Sequence, residues 1–192
     1  MAVTAAERGR DVRRRLLTAA AELIPEVGWN SVSTRLLAQR AGVAPGLVHY
    51  HFPSLAVLLR EAAVGVMREV VLATAPGLAT AETVDAGLDL MLASLDAYTG
   101  TDPTSLLFIE TYLAATRDEN LRTELAGLVE EFRDALRSWL AEHGQDDHHQ
   151  VAAVLAAAID GVMLHRALHP ELTSPAVFPV LRRMLAPGTA NR

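Results

Sequence analysis

Residues 28–59 read GWNSVSTRLLAQRAGVAPGLVHYHFPSLAVLL, and this stretch decides the fold. It contains two short segments of helical character, Thr34 to Arg40 and Pro45 to His51, joined through a turn at Gly42. Ser33 stands where a helix N-cap accepts amide hydrogens, and the proline opens the second segment where its missing N–H is harmless. Two short helices joined through a glycine-bearing turn predict a helix-turn-helix.

The rest of the chain shows only helical periods of apolar residues, and no run alternates apolar with polar residues as a strand does. We therefore predict an all-α fold of about nine helices. Punctuation by Gly and Pro sets the expected ranges at about 10–27, 34–40, 45–51, 55–74, 81–98, 103–117, 119–143, 147–168 and 174–186. The fourth helix is expected to break at Pro76-Gly77. The expected domains are a helix-turn-helix DNA-binding domain at 1–54 and a ligand-binding and dimerisation domain at 55–192.

Composition excludes several classes of protein. The 192 residues contain no Cys, which excludes a disulfide scaffold, a Cys-ligated zinc site and a thiol enzyme. The formal net charge is −6, yet residues 1–54 carry seven Arg against four acidic residues. The N-terminal residues 1–54, called the head, are therefore basic, and residues 55–192, called the body, are acidic. A basic head favours a polyanion partner at the N-terminal end. Because no apolar run approaches the roughly 18 residues of a membrane span or resembles a signal peptide, we expect a cytoplasmic protein with no membrane partner.

The stretch 28–59 is similar to the DNA-binding head of the tetracycline-repressor (TetR) family of bacterial transcription regulators. The residues that match the family pattern are Gly42, Gly46, Val48, His51 and Phe52. About 45 N-terminal residues match well, whereas the body resembles the family only in the number and lengths of its helices and in a late dimerising pair. The resemblance implies a homodimeric repressor that binds a palindromic double-stranded DNA operator and is released by a small-molecule effector.

Three positions depart from the family pattern. Ala44 replaces the usual Ser cap, and His49 replaces the usual Tyr, with Tyr50 beside it. Leu55 stands where family members usually have a Lys that clamps a phosphate. The Ser54 hydroxyl and the amides of the following helix can still hold a phosphate through the helix dipole. Without the Lys we expect a salt dependence of binding about one unit shallower in slope.

The resemblance implies that the second short helix lies in the major groove, while the preceding helix grips the backbone. Arg35 is the expected reader of a guanine or a phosphate, because guanidinium pairs bidentately with guanine. The predicted DNA-binding residues are Ser33, Thr34, Arg35, Ala44, Pro45, Gly46, Leu47, His49, Tyr50 and Ser54.

The body is expected to hold a cavity for an apolar or aromatic effector. The predicted effector-binding residues are Met67, Leu88, Met91, Leu95, Phe108, Tyr112, Asp160 and Met163. Met and Leu at helical spacing are core residues far more often than ligand contacts, so ordinary core packing stays open as the alternative.

The segments at about 119–143 and 147–168 resemble half of an intersubunit four-helix bundle, because each is amphipathic with a second apolar face. The predicted dimer-interface residues are Leu125, Leu128, Phe132, Leu136, Trp139, Val154, Ala158 and Val162. The alternative is that both faces are used within one subunit.

Two other readings of the chain stay open. His143, Asp146, Asp147, His148 and His149 cluster around one loop and suggest a metal site, but Asp146 or Asp147 is also a natural N-cap. No HExxH, GxSxG or Gly-rich phosphate loop is present, so we predict no enzyme, no metal and no cofactor. The alternatives to a ligand-responsive regulator are a ligand-independent DNA-binding protein and an all-α metal-dependent binding protein or enzyme.

Overall fold

The computed structural model of the chain describes residues 4–185, without the side chains of residues 74–76. Residues 1–3 and 186–192 of the predicted domains and the last residue of the predicted helix 174–186 lie outside the described residues. Nine α-helices, one short 3-10 turn and no strand occur in that range, which confirms the all-α prediction. The helices are α1 (Ala5–Val27), α2 (Thr34–Ala41), α3 (Gly46–His51), α4 (Leu55–Thr80), α5 (Val84–Leu95), α6 (Pro103–Ala115), α7 (Glu119–Glu142), α8 (His148–His165) and α9 (Ser174–Leu185).

The chain divides into two compact units. The first contains the chain up to Arg68 together with Leu106–Leu125, and the second contains Glu69–Ser105 together with the chain from Ala126 onward. The division falls inside α4, α6 and α7, so each of these helices contributes to both units. The helix-turn-helix therefore belongs to one unit with most of α6 and the start of α7.

Helix α1 begins about five residues earlier than the apolar period indicates, because of a capping box. The Thr4 amide donates to Glu7 Oε2 at 2.6 Å, and the Glu7 amide donates to Thr4 Oγ1 at 3.2 Å. Hydrogen bonding by Thr4 holds the pKa of the Glu7 carboxyl below its usual value. Leu16 and Leu23 of α1 are fully buried and help to form the core of the first unit.

The expected break of α4 at Pro76-Gly77 is wrong, since the helix continues to Thr80. An interior proline removes a backbone hydrogen bond, but packing can outweigh that loss. Leu78 is buried in the core of the second unit, and the Leu90 side chain lies 3.8 Å from where a Cβ of Gly77 would stand. Tertiary contacts therefore hold the last turn of the helix.

Helices α5, α7, α8 and α9 build the core of the second unit, around residues such as Leu92, Leu136 and Leu155. Gly87 allows the closest approach, because a Cβ at this position would lie 2.8 Å from Trp139 Cε2 and closer still to Cζ2. The indole of Trp139 thus fills space that any larger residue at position 87 would occupy.

Candidate functional site

The helix-turn-helix is built by local caps at the predicted positions. Ser33 Oγ accepts from the Leu36 amide at 3.3 Å and caps α2. Gly42 ends α2 in the left-handed conformation at φ 63°, and the Val43 amide donates to Ala38 O at 3.0 Å. This hydrogen bond closes a Schellman motif, which is why a glycine is needed in the turn.

A long-range contact fixes the same turn. The Arg15 guanidinium on α1 donates to the carbonyl oxygens of Ala41 and Gly42, the latter at 2.8 Å. A charged donor on two free carbonyls at a helix end is stabilising. Arg15 therefore positions α2 from within the first unit, a role that no local sequence signal reveals.

Two more arginines of the head are paired within the protein. Arg13 Nη2 lies 2.6 Å from Glu61 Oε2, and its guanidinium stands 4.8 Å from the centre of the Phe52 ring. Arg40 pairs with Glu26 at 2.5 Å and with Glu22 at 3.4 Å. The hydrogen bond from Arg40 lowers the pKa of the Glu26 carboxyl.

The Arg13 and Arg40 side chains are therefore held by acidic residues of the same unit, Arg13 by α4 and Arg40 by α1.

The ten predicted DNA-binding residues all lie at the surface or are partly exposed, and none is buried. The Arg35 side chain is exposed and forms no hydrogen bond or ion pair with the described residues, 4–185 apart from the side chains of 74–76. Tyr50 is 79% exposed, while Val48 and Phe52 on the same segment are buried and anchor α3. Ser54 Oγ accepts from the Val57 amide at 3.2 Å, so its hydroxyl hydrogen remains available for a phosphate.

Helix α6 is attached to the helix-turn-helix within the first unit. Glu110 Oε2 accepts from the Trp29 amide at 2.8 Å. Gly28 ends α1 at φ 82°, and a Cβ there would lie 3.6 Å from the same carboxylate oxygen. Arg60 of α4 pairs with Glu124 of α7 at 2.8 Å. Sequence reasoning missed Glu110 because an isolated Glu on a helix carries no motif.

The predicted effector residues fall in both units, and a cavity formed by them stays a prediction. In the first unit Met67 and Phe108 are buried and Tyr112 is 38% exposed. In the second unit Asp160 is partly exposed, and the other predicted members are buried. Those buried members are Leu88, Met91, Leu95 and Met163.

Most of the predicted dimer residues of α7 are buried within their own chain, and their place in a dimer stays a prediction. Leu125, Leu128, Leu136 and Trp139 are at most 4% exposed in the single chain, and Phe132 packs partly against the core of the second unit. A side chain that is buried within its own subunit offers almost no surface to a partner. The residues predicted on α8 differ, because Val154 is 54% exposed and Ala158 and Val162 are partly exposed.

Apolar side chains are exposed on α8, on the turn after it and on α9. They are Val154, Leu164, Leu168, Val180 and Met184, with Leu168 the most exposed at 77%. A cavity of about 190 Å³ opens between α8 and α9 beside them. Its lining includes Asp147, Gln150, Val151, Val154, Leu181 and Met184.

An ion pair between the buried Arg166 and the partly exposed Asp96 fixes the end of α8 relative to the start of α9. Arg166, which is 5% exposed, donates to Leu172 O at 2.6 Å and lies 2.7 Å from Asp96 Oδ1. Asp96 also accepts from the amide and the hydroxyl of Ser174, at 3.0 and 2.5 Å. These hydrogen bonds from Ser174, together with Arg166, hold the pKa of Asp96 below its usual value.

Two histidines of the predicted loop cluster, His143 and His148, contact backbone carbonyl oxygens. The ring nitrogens of His143 lie 2.8 Å from Trp139 O and 3.1 Å from Ala81 O, and His148 Nδ1 lies 3.0 Å from Gln145 O. Across residues 4–185 no group of three His, Asp or Glu residues is arranged to hold a metal ion. None of the helices described is long and apolar enough to cross a membrane.

The all-helical fold and the exposed polar surface of the helix-turn-helix are typical of helix-turn-helix DNA-binding proteins. Two family models match this chain: "Bacterial regulatory proteins, tetR family" at residues 16–62 and "Tetracyclin repressor-like, C-terminal domain" at residues 82–187. The chain therefore belongs to the TetR family of transcriptional regulators, as the resemblance of its head predicts.

Relatives and solved structures agree with this assignment. The HTH-type transcriptional regulator BetI of Rhizobium meliloti (strain 1021) is 30% identical, covering 81% of this chain and 78% of the relative. A protein from Streptomyces coelicolor A3(2), described as a transcriptional regulator, is 30% identical with a TM-score of 0.75 over 92% of this chain and 99% of that one. The multidrug binding protein EbrR, complexed with imidazole, is 30% identical with a TM-score of 0.70 over 94% and 97% of the two chains.

Proposed function

We propose that this TetR-family regulator is a homodimeric repressor that binds a palindromic operator and is released by a small-molecule effector. The observation that supports sequence-specific DNA binding is a difference among the arginines of the first unit. Arg13, Arg15 and Arg40 are engaged inside the first unit, whereas Arg35 at the start of α2 is exposed without a described partner. An unpaired guanidinium beside the exposed α3 is suited to a base or a phosphate.

Regulators of this family typically bind DNA as dimers, and we propose that the exposed apolar surface of α8 and α9 supplies the contact. Apolar side chains that meet in a dimer leave water, which is the main driving force for association. Two recognition helices held about 34–36 Å apart would then read two half-sites one DNA turn apart. A charged substitution on this surface is expected to separate the subunits.

Release by an effector is supported by the hydrogen bond that attaches α6 to the head. Phe108 and Tyr112, two of the predicted effector residues, stand two positions either side of Glu110, which accepts from the Trp29 amide. An effector that shifts α6 would therefore change the support of α1 directly. The effector must bind the released state more tightly than the DNA-bound state, because otherwise no population shifts.

Fluorescence anisotropy with DNA flanking the chain's own gene tests the proposal, with a scrambled duplex as the control. A specificity ratio above roughly 10³ is expected for the regulator. Equal binding to both duplexes would contradict operator reading at that site. Titration of the bound complex with a panel of apolar and aromatic molecules, including aromatic cations, then tests release, and a panel without any releasing compound would favour the ligand-independent alternative.

A further inference from the structure

We propose that the cavity between α8 and α9 binds a small alkyl- or arylalkylammonium ion, with its charged end at Asp147 and Gln150 and its apolar body between the two helices. The site is built by one chain within the second unit. None of its lining residues belongs to the predicted effector residues, so it is a separate site from the effector cavity of the proposed function.

The walls of the cavity are apolar side chains at helical spacing. Those walls are Val151, Val154 and Leu155 of α8, and Leu181, Met184 and Leu185 of α9. Steps of three and four residues place each set on one face of its helix. The three leucines are buried, whereas Val154 and Met184 are more than half exposed and border the opening. The cavity is therefore apolar in its depth and open to solvent on one side.

The polar part of the lining stands at the start of α8. Asp147 is the N-cap residue of this helix, and Gln150 lies in its first turn. Asp147 Oδ1 accepts from Gln145 Nε2 at 2.6 Å. Neither the Asp147 nor the Gln150 side chain has a further hydrogen bond to the described residues. Since a carboxylate offers about four acceptor sites, both side chains can accept hydrogen bonds from a ligand.

The charge around the cavity favours a cation. Among the described residues that line the cavity, none is an arginine or a lysine. Residues 138–165 contain neither residue type and carry four acidic residues. Of the two arginines of α9, Arg182 is paired with Asp85 at 2.7 Å. Arg183 is two residues from Leu181, a rotation of about 200° around the helix, so it lies on the face opposite the cavity.

The apolar walls and the acidic end together define the class of ligand. An exposed ion pair alone contributes little, so an ammonium ion needs an apolar body that leaves water when it binds. An uncharged hydrocarbon would leave the Asp147 carboxylate without a new partner, and an anion would be repelled by it. A cavity of about 150 Å³ holds benzene, so the volume of about 190 Å³ has room for one aromatic ring or a branched chain of similar size.

Titration calorimetry of the full chain with benzylammonium, benzyl alcohol and benzoate tests the class of ligand. The three molecules share one ring and differ in charge. We expect benzylammonium to bind with a Kd of about 1 mM or below and about tenfold more tightly than benzyl alcohol, and benzoate to bind least. Equal binding of all three, or no binding of benzylammonium at about 10 mM, would overturn the proposal.

Two adjacent aspartates give a matched test of the charged end. Asp147→Asn removes the charge and keeps a residue that serves equally well as an N-cap. Asp146→Asn removes an equal charge at a position outside the lining. We expect benzylammonium affinity to fall about tenfold in Asp147→Asn and to change less than about twofold in Asp146→Asn. An equal loss in both variants would show general attraction to an acidic surface and would overturn the site.

A larger side chain at the opening tests the apolar part. Val154→Phe is expected to abolish benzylammonium binding, because the added ring occupies the cavity. Leu164→Phe, at an exposed position of α8 outside the lining, should leave it unchanged. Val154 and Leu164 both belong to the apolar surface proposed for the dimer, so any effect on association is matched, and circular dichroism checks that both variants are folded.

The position of the ligand and the role of the protein are tested separately. Benzylammonium that binds wild type, Asp147→Asn and Val154→Phe equally lies elsewhere in the chain, and this result would overturn the site. A wild-type chain that binds its operator but not benzylammonium would overturn the site and leave the regulator standing. Loss of binding in Asp147→Asn and Val154→Phe, with both control variants unchanged, supports the site whether or not the operator is bound.

Discussion

Replacing Arg35 by Ala is the sharpest test of how the head reads DNA. Arg35 is the second residue of α2, is exposed and has no partner in the described range, so its removal leaves every described hydrogen bond in place. Surface changes of this kind alter folding stability by less than about 0.5 kcal/mol. We therefore expect Arg35→Ala to fold with an unchanged denaturation midpoint.

The effect on binding is expected to be large. One arginine contact to a base is worth about 1–3 kcal/mol. Two subunits would contribute two such contacts, or about 2–6 kcal/mol in all, which corresponds to at least about a 30-fold weaker operator complex. If Arg35 reads a base, discrimination among operators with single base-pair changes is also lost at the contacted position.

The matched control is Arg40→Ala on the same helix. Arg40 is held by Glu22 and Glu26, so its removal takes away internal ion pairs and no proposed DNA contact. Anisotropy titrations at about 0.15 M salt, where charges beyond about 8 Å are largely screened, compare the two variants. The reasoning would be refuted if Arg35→Ala retained full affinity and discrimination, or if both variants lost affinity equally.

Three further predictions concern the body and its link to the head. Gly87→Ala should lower the free energy of unfolding, measured in urea, by about 1–3 kcal/mol, because the added Cβ would overlap the Trp139 side chain. Gly65→Ala, at a helical position with no atom near the added Cβ, should raise the free energy of unfolding by up to about 1 kcal/mol. Asp96→Asn should destabilise the chain at pH 7, because the pKa of Asp96 is lower in the folded state than in the unfolded state. The contribution of the carboxylate to stability is present at neutral pH and is lost as the pH falls through the folded pKa. The urea midpoints of variant and wild type should therefore converge in acid, and a constant gap would contradict this. Glu110→Ala removes a charged acceptor worth about 1.5–3 kcal/mol, so the rate of hydrogen exchange at the Trp29 amide should rise at least tenfold. Glu110→Gln should give an intermediate rate. An unchanged exchange rate would show that α6 does not support the helix-turn-helix unit.

Local chemistry made the helix-turn-helix predictable. Ser33 caps α2 and Gly42 ends it in the left-handed conformation, and both roles depend only on residues within a few positions. Contacts between distant positions were not predictable from one sequence. Arg15 on Ala41 O and Glu110 on the Trp29 amide join positions 26 and 81 residues apart, and neither residue type at its position carries a pattern.

The dimer surface shows where periodicity stops being informative. A helical apolar stripe indicates that a face is covered, but it does not say whether the cover belongs to the same chain. Leu136 and Trp139 of α7 are covered by α5 and α8 of their own subunit, whereas Val154 of α8 is left exposed. The break expected at Pro76-Gly77 failed for a related reason, because the burial of Leu78 is a tertiary effect.

The measurement that tests the central claim most directly is operator binding as a function of half-site spacing. Once the operator is mapped by footprinting, five or ten base pairs are inserted between its half-sites. A dimer that reads two half-sites on one face of the duplex loses most of its affinity with the five-base-pair insertion, because the second half-site rotates to the opposite face. Equal affinity for the original operator and both insertions would contradict a two-fold regulator that reads DNA with α2 and α3.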